Sequence, residues 1–173
     1  MVVRYLLILS LLLSVACAPV EIPPGTVMIA DNSELLEIAE ITADFVGAPE
    51  ECRDWDSVGV YWAHSDEDFE EISGYPYSHA YGIMFAHVDK IDSIIFLSSR
   101  SNSIVIGHEI LHHINDCLGI DDGEHDSPIW QELEGHIYDL ACSYEVNPYA
   151  AGPSYEIQRA NPEYIRCEPG GSF

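Results

Sequence analysis

Basic residues are scarce in this chain. Its 173 residues include 6 Lys and Arg against 30 Asp and Glu, which gives a formal net charge of −24 at pH 7. A surface this acidic repels phosphate backbones and anionic lipid headgroups. The composition therefore predicts no nucleic-acid partner and no electrostatic attachment to a membrane. It favours a strongly solvated protein, and we expect a monomer.

The chain also lacks internal repeats and any visible second domain, and its length is typical of one domain. The apolar run from Tyr5 to Leu13 is too short and too close to the N-terminus for an ordinary membrane-spanning helix. With Arg4 before it and small residues after it, this run predicts a signal peptide over residues 1–17. A tether over 18–30 and one domain over 31–173 would follow.

Cys17 lies where the signal peptide would be cleaved, and two processing routes are open. Ser14-Val15-Ala16-Cys17 resembles a bacterial lipobox, although Ser14 stands where Leu is usual. In that route Cys17 is lipidated, and the lipid is the protein's only attachment to the membrane of the cell envelope. Alternatively, Ala16-Cys17-Ala18 is an A-x-A cleavage site, and the protein is secreted without an anchor. We expect the lipoprotein.

No two cysteines are spaced as in the C-x-x-C clusters of zinc sites. Either processing route leaves an even set for an oxidising compartment: Cys52, Cys117, Cys142 and Cys167. Four cysteines allow three disulfide connectivities, among which the sequence does not choose. We therefore expect two disulfides and no cysteine ligands.

Hydrophobic periodicity predicts an α+β fold, with a small β-sheet packed against about three helices. Capping residues and apolar spacing predict helices from about Ser33 to Gly47, from Ile104 to about Cys117, and from Ser127-Pro128 onwards. Alternation with β-branched and aromatic residues predicts a strand over Val58–Ala63, and two further strand-like runs cover Tyr81–Val88 and Ser93–Leu97. The acidic segment from Glu67 to Ser73 is either an exposed turn or a short helix.

The second long helix carries the sequence His-Glu-Ile-Leu-His over residues 108–112. Because a helical turn has 3.6 residues, His108 and His112 project from the same face and can bind one metal ion. Glu109 lies beside them, where its carboxylate can accept a proton from a zinc-activated water. The pattern H-E-x-x-H therefore predicts a zinc site with Glu109 as the general base.

A catalytic zinc site needs a third protein ligand and one open position. The candidates after His112 are His125, Asp126, Glu132, Glu134 and His136. Glu132 follows His112 by twenty residues, a spacing similar to that of thermolysin-type gluzincins. His136, one helical turn later, could then contact a metal ligand and orient it without binding the metal itself. The metzincin pattern is absent, because Asn115 and Leu118 stand where it has Gly and His.

Residues 104–133 resemble the SprT-like (Spartan-type) zinc protease domain. The similarity lies in the H-E-x-x-H segment and in His125-Asp126-Ser127-Pro128-Ile129-Trp130, although Asp126 stands where the family usually has Gly. The resemblance implies a minizincin-like fold, hydrolysis of peptide bonds and His125 as the third zinc ligand, with Glu132 as the alternative. It does not imply a role on DNA, because export and the acidic surface oppose one.

The sequence thus predicts an exported zinc metallopeptidase that acts on a peptide or protein substrate. The main alternative is a non-catalytic extracytoplasmic lipoprotein that binds metal or a partner. A third reading is an immunity or inhibitor lipoprotein with an accidental motif, and it predicts no zinc.

Some residues near the motif are not expected to bind the metal. His113 points about 100° away from His112, so we expect it in the core or in the layer of residues around the metal ligands. Trp130 is expected in the core. Tyr138 and Tyr144 are weak candidates for stabilising an oxyanion.

Overall fold

The computed structural model describes residues 20–76, 81–88, 90–99, 101–121, 125–143, 145–147 and 167. This part of the chain has the predicted α+β class, with a mixed four-stranded sheet and four α-helices. The predicted signal peptide, Cys17, His79 and Tyr144 lie outside the described residues. Within the described residues, no helix combines the length and the hydrophobicity that crossing a membrane requires.

The sheet has the order β1-β2-β4-β3. Its strands are β1 (Val27–Met28), β2 (Val58–Trp62), β3 (Gly82–Ala86) and β4 (Ser93–Leu97). The two central strands, β2 and β4, are parallel and buried at every position, which explains their nearly continuous apolar sequences. The outer strands pair antiparallel to them. Three of these strands agree with the sequence prediction: β4 has the predicted bounds, and β2 and β3 are shorter by one or two residues at an end.

Residues 27–31, which include the last part of the predicted tether, already belong to the folded structure. They form β1 and a 3-10 turn, and Ile29 is completely buried. β1 was not predictable from the sequence, because a strand of two residues is too short for an alternating pattern to appear. The strand is stabilised by its pairing with β2.

The four α-helices are α1 (Ser33–Val46), α2 (Asp66–Ser73), α3 (Ser103–Cys117) and α4 (Ile129–Cys142). The Asn32 side chain caps α1 and the Asn102 side chain caps α3, each by accepting hydrogen bonds from two backbone N–H groups of the first turn. α1 ends at Gly47, whose φ of 68° is the left-handed conformation that glycine favours. α2 shows that the acidic segment near Glu67 is a short helix.

α3 runs through the middle of the domain, in contact with α1, α4, β3 and β4. Ile106, Ile110 and Ile114 pack into the core shared by α1 and the sheet, and Leu111 packs with Trp130 of α4 in a second cluster. Because apolar residues cover two sides of α3, packing on both sides holds the helix in position. The side that carries His108 and His112 faces the start of α4.

Two disulfides are present, Cys52–Cys117 and Cys142–Cys167. They confirm the predicted disulfides and select one of the three connectivities. Cys52–Cys117 joins the turn after α1 to the last residue of α3. Disulfides persist in oxidising compartments, so this pairing indicates an extracytoplasmic protein.

Candidate metal centre

Three histidines from two parts of the chain meet at one point. His108 and His112 lie one turn apart on α3, and His125 lies in the loop before α4. One nitrogen from each ring lies within 4.8 Å of the others, and the Nε2 atoms of His112 and His125 are 2.9 Å apart. Tetrahedral zinc with bonds of about 2.0–2.1 Å needs nitrogens roughly 3.3 Å apart. The three nitrogens are thus close enough together to hold one metal ion.

The backbone of His125 adopts an uncommon conformation. Its φ is 53°, in the left-handed region that residues other than glycine rarely occupy. Backbone strain of this kind is of order 1–3 kcal/mol and is concentrated at functional sites. Because the side chain of His125 is exposed, burial of its ring does not explain this conformation. The turn does bring its ring against His112.

Trp130, in the first turn of α4, packs against all three imidazoles. Its ring centroid lies 4.7 Å from that of His108, 4.6 Å from that of His112 and 4.5 Å from that of His125. The side chain is buried, as predicted for a core residue. It therefore contributes to the core and also restricts the orientations of the three rings.

Glu134 fixes the orientation of His108. The Nδ1–H of His108 donates a hydrogen bond of 2.9 Å to Glu134 Oε1, and both side chains are partly buried. Because Nδ1 is engaged with the carboxylate, Nε2 is the nitrogen left with a lone pair for a metal ion. Glu134 was one of five candidates for the third ligand. The structure instead places it against Nδ1 of His108, one helical turn after Trp130.

Glu132 and His136 lie elsewhere on α4. Glu132 is exposed and does not belong to the group of three ligand atoms, which among the described residues contains only histidines. It is two residues from Glu134, and so it points to nearly the opposite side of the helix. The His136 ring stacks on Phe45 of α1, with centroids 4.9 Å apart and planes at 21°. Asp126 is likewise exposed and outside the group.

Glu109 follows His108 on α3, and its side chain lies against the edge strand β3. Its side chain is 5% exposed. A Cβ atom added at Gly82 would come within 2.8 Å of both Cγ and Oε1 of Glu109. The missing side chain of Gly82 therefore leaves the space that the carboxylate occupies. This requirement was not predictable, because it depends on how β3 packs against α3.

The other described histidines are distinct from the cluster. His113 is buried, its Nδ1 lies 2.8 Å from Ser93 Oγ, and its ring is tilted against Trp55. Burial lowers the pKa of His113, which favours the neutral ring expected for a core histidine. His64 and His87 are exposed, as expected for residues outside the site.

Comparisons with protein-family models, with curated proteins and with solved structures found no match for this chain. The resemblance to the SprT-like domain thus rests on residues 104–133 alone.

Proposed function

We propose that the protein is a zinc-dependent metallohydrolase that cleaves peptide bonds. The observation that carries this proposal is the convergence of three histidines, His108, His112 and His125, with Glu109 directly following His108 on α3. Catalytic zinc sites have three protein ligands and an open position, whereas structural sites are normally closed by four. Among the described residues the group has three members, and this favours catalysis over a purely structural site.

Three imidazoles with no cysteine form a donor set that suits zinc. His108, His112 and His125 would hold the ion, which when bound lowers the pKa of a coordinated water towards 7 and polarises a carbonyl. Glu109 would accept a proton from the attacking water and later donate it to the leaving amine. Glu134 would keep the Nε2 atom of His108 directed at the metal.

Peptide as the substrate class follows from the resemblance to the SprT-like domain. Hydrolysis by activated water would also cleave other amides, so the chemistry alone does not select peptides. The proposed location is the cell envelope, with attachment through a lipid on Cys17. The two disulfides support an extracytoplasmic location, although they do not distinguish an anchored from a secreted protein.

The test measures zinc content and peptide hydrolysis on the mature protein and on four variants. We expect about one zinc per wild-type chain, loss of zinc in His108→Ala and His125→Ala, and retained zinc in Glu132→Ala. Glu109→Gln should keep the zinc and lose activity by about 10²–10⁴-fold, since it removes only the proton acceptor. The activity assay uses a mixture of unstructured peptides, with cleavage followed by mass spectrometry.

Two results would contradict the proposal in different ways. A wild-type protein that binds zinc but hydrolyses no peptide would favour the non-catalytic metal-binding lipoprotein. A wild-type protein that binds no zinc under any loading condition would exclude both readings and leave an interaction protein with an accidental motif.

A further inference from the structure

A large apolar pocket adjoins the metal centre. Its volume is about 890 Å³, near the upper end of the range of roughly 300–1,000 Å³ typical of ligand pockets. Apolar side chains from α3, the following loop and α4 line it: Leu111, Ile114, Leu118, Ile120, Ile129 and Trp130. His125 also lines it, so one wall of the pocket is a proposed zinc ligand.

The pocket and Glu109 lie on opposite sides of the histidines. Successive residues of an α-helix are rotated by about 100°, which places Glu109 roughly 80° to one side of the His108–His112 pair. The same rotation places Leu111 and Leu118 roughly 80–100° to the other side. A peptide with one side chain in the pocket would therefore continue across the histidines towards Glu109.

The mouth of the pocket exposes apolar surface to solvent. Leu118 is 44% exposed and Ile120 is 51% exposed, and both are among the five large hydrophobic side chains exposed in the described part of the chain. Their exposure is conspicuous in a protein with a net charge of −24. Clustered apolar residues at a cleft mark a binding surface more often than single exposed ones do.

The polar groups of the pocket favour a cationic partner. Asp121 and Asp126 line it together with the apolar residues, and none of its lining residues is Lys or Arg. With 30 acidic residues in the whole chain, the surrounding field also attracts positive charge. The chemistry of the pocket thus combines an apolar floor with carboxylates at one edge.

We infer that this pocket is the specificity subsite of the metal centre. It takes a large apolar side chain of a peptide substrate that has Lys or Arg as a neighbour. The inference rests on the proposed function, because it makes the pocket part of a peptide-cleaving site. It adds the substrate class, amphipathic basic peptides, to the proposed chemistry.

Binding can be measured without cleavage in the zinc-loaded Glu109→Gln protein. Three fluorescent ten-residue peptides differ only at their centre, which is Lys-Leu, Lys-Ser or Glu-Leu. We expect the Lys-Leu peptide to bind about tenfold or more tightly than the Lys-Ser peptide, because the pocket is left unfilled by Ser. The Glu-Leu peptide should bind more weakly than the Lys-Leu peptide, because Asp121 and Asp126 repel it.

Variants assign that binding to the pocket. Leu118→Gln with Ile120→Gln should abolish the preference for Leu over Ser, and folding should survive because both residues are about half exposed and neither belongs to a core cluster. Ile22→Gln is the matched control, since Ile22 is 37% exposed and does not line the pocket. Asp121→Lys should shift the preference towards the Glu-Leu peptide, a reversal that misfolding cannot produce.

Equal binding of the Lys-Leu and Lys-Ser peptides would overturn the inference, as would pocket variants that bind like the Ile22→Gln control. Equal binding of the Lys-Leu and Glu-Leu peptides would overturn the part of the inference that concerns basic peptides.

Cleavage by the wild-type protein distinguishes failure of this inference from failure of the proposed function. If peptides are cleaved without any preference for Leu, the hydrolase stands and the subsite falls. If the Lys-Leu peptide binds selectively but is never cleaved, the subsite stands as a binding site and the hydrolase falls.

Discussion

Glu134 shows how one carboxylate outside the ligand set determines what a histidine can do. An imidazole has two nitrogens, and the one that binds a metal is selected by the hydrogen bond that the other makes. At His108 the contact between Nδ1 and Glu134 Oε1 makes that selection. In the proposed zinc site, such a carboxylate partner would strengthen the bond between His108 and the metal.

We therefore predict that Glu134→Ala weakens zinc binding by about 10–100-fold, the usual effect of removing such a partner. Glu132→Ala is the matched control, because Glu132 is an exposed carboxylate on the same helix outside the cluster. Competition with a zinc chelator measures both affinities. If Glu132→Ala lost zinc and Glu134→Ala did not, Glu132 would be the third ligand and the arrangement described above would be wrong.

At this scale the sequence predicted part of the site. The spacing of His108 and His112 was sufficient, because both lie on one helix of known pitch. His125 was predicted through a resemblance. It lies in a loop, and the spacing of residues does not show that the chain turns back there towards α3. The role of Glu134 was not predictable, because the rotation of α4 about its axis decides between Glu132 and Glu134. That rotation is set by the burial of Trp130, Leu133 and Ile137.

At the scale of elements, the site depends on how closely three helices approach one another. A Cβ atom added at Gly107 of α3 would collide with Ile137 Cδ1 of α4 and would lie 3.2 Å from Thr42 Oγ1 of α1. The absence of a side chain at Gly107 therefore permits α4 to pack close to α3. That packing carries Trp130 and Glu134 to the histidines.

Gly107→Ala should destabilise the protein by about 1–3 kcal/mol, because the added methyl group overfills a packed contact. Gly135→Ala is the control within α4: nothing lies within 4 Å of an added Cβ, so alanine should stabilise the helix by about 0.5–1 kcal/mol. Urea unfolding of both variants tests the contrast. Equal effects of the two substitutions would show that the close packing at Gly107 is not required.

The long helices and three of the strands were predictable from the sequence, because their caps and apolar periodicity are local. The order of the sheet was not. β2 and β4 pair in parallel although β3 lies between them in the chain. Their pairing therefore depends on a crossover connection that includes α2. The apolar runs of β2 and β4 show that both strands are buried, but they do not show which strand pairs with which.

For the whole molecule, the acidic composition and the disulfides act in opposite directions. A net charge of −24 destabilises a compact state through self-repulsion, whereas cross-links limit the entropy of the unfolded chain. Cys52–Cys117 closes the longer loop, with a sequence separation of 65, and Cys142–Cys167 closes one of 25. In the chain-entropy account the longer loop contributes about 4 kcal/mol.

Replacing Cys52 and Cys117 together by Ser should therefore lower the free energy of unfolding by about 4 kcal/mol. Because Cys117 is the last residue of α3, the free end of that helix should also lose protection in amide hydrogen exchange. His108 and His112 lie farther inside the helix, between the sheet and α4, so the folded variant should still bind zinc.

Replacing Cys142 and Cys167 is the matched control, because it removes a cross-link without releasing α3. If that control, rather than Cys52→Ser with Cys117→Ser, exposed the end of α3 to exchange, α3 would not be held by Cys52. Its end would then depend on packing alone.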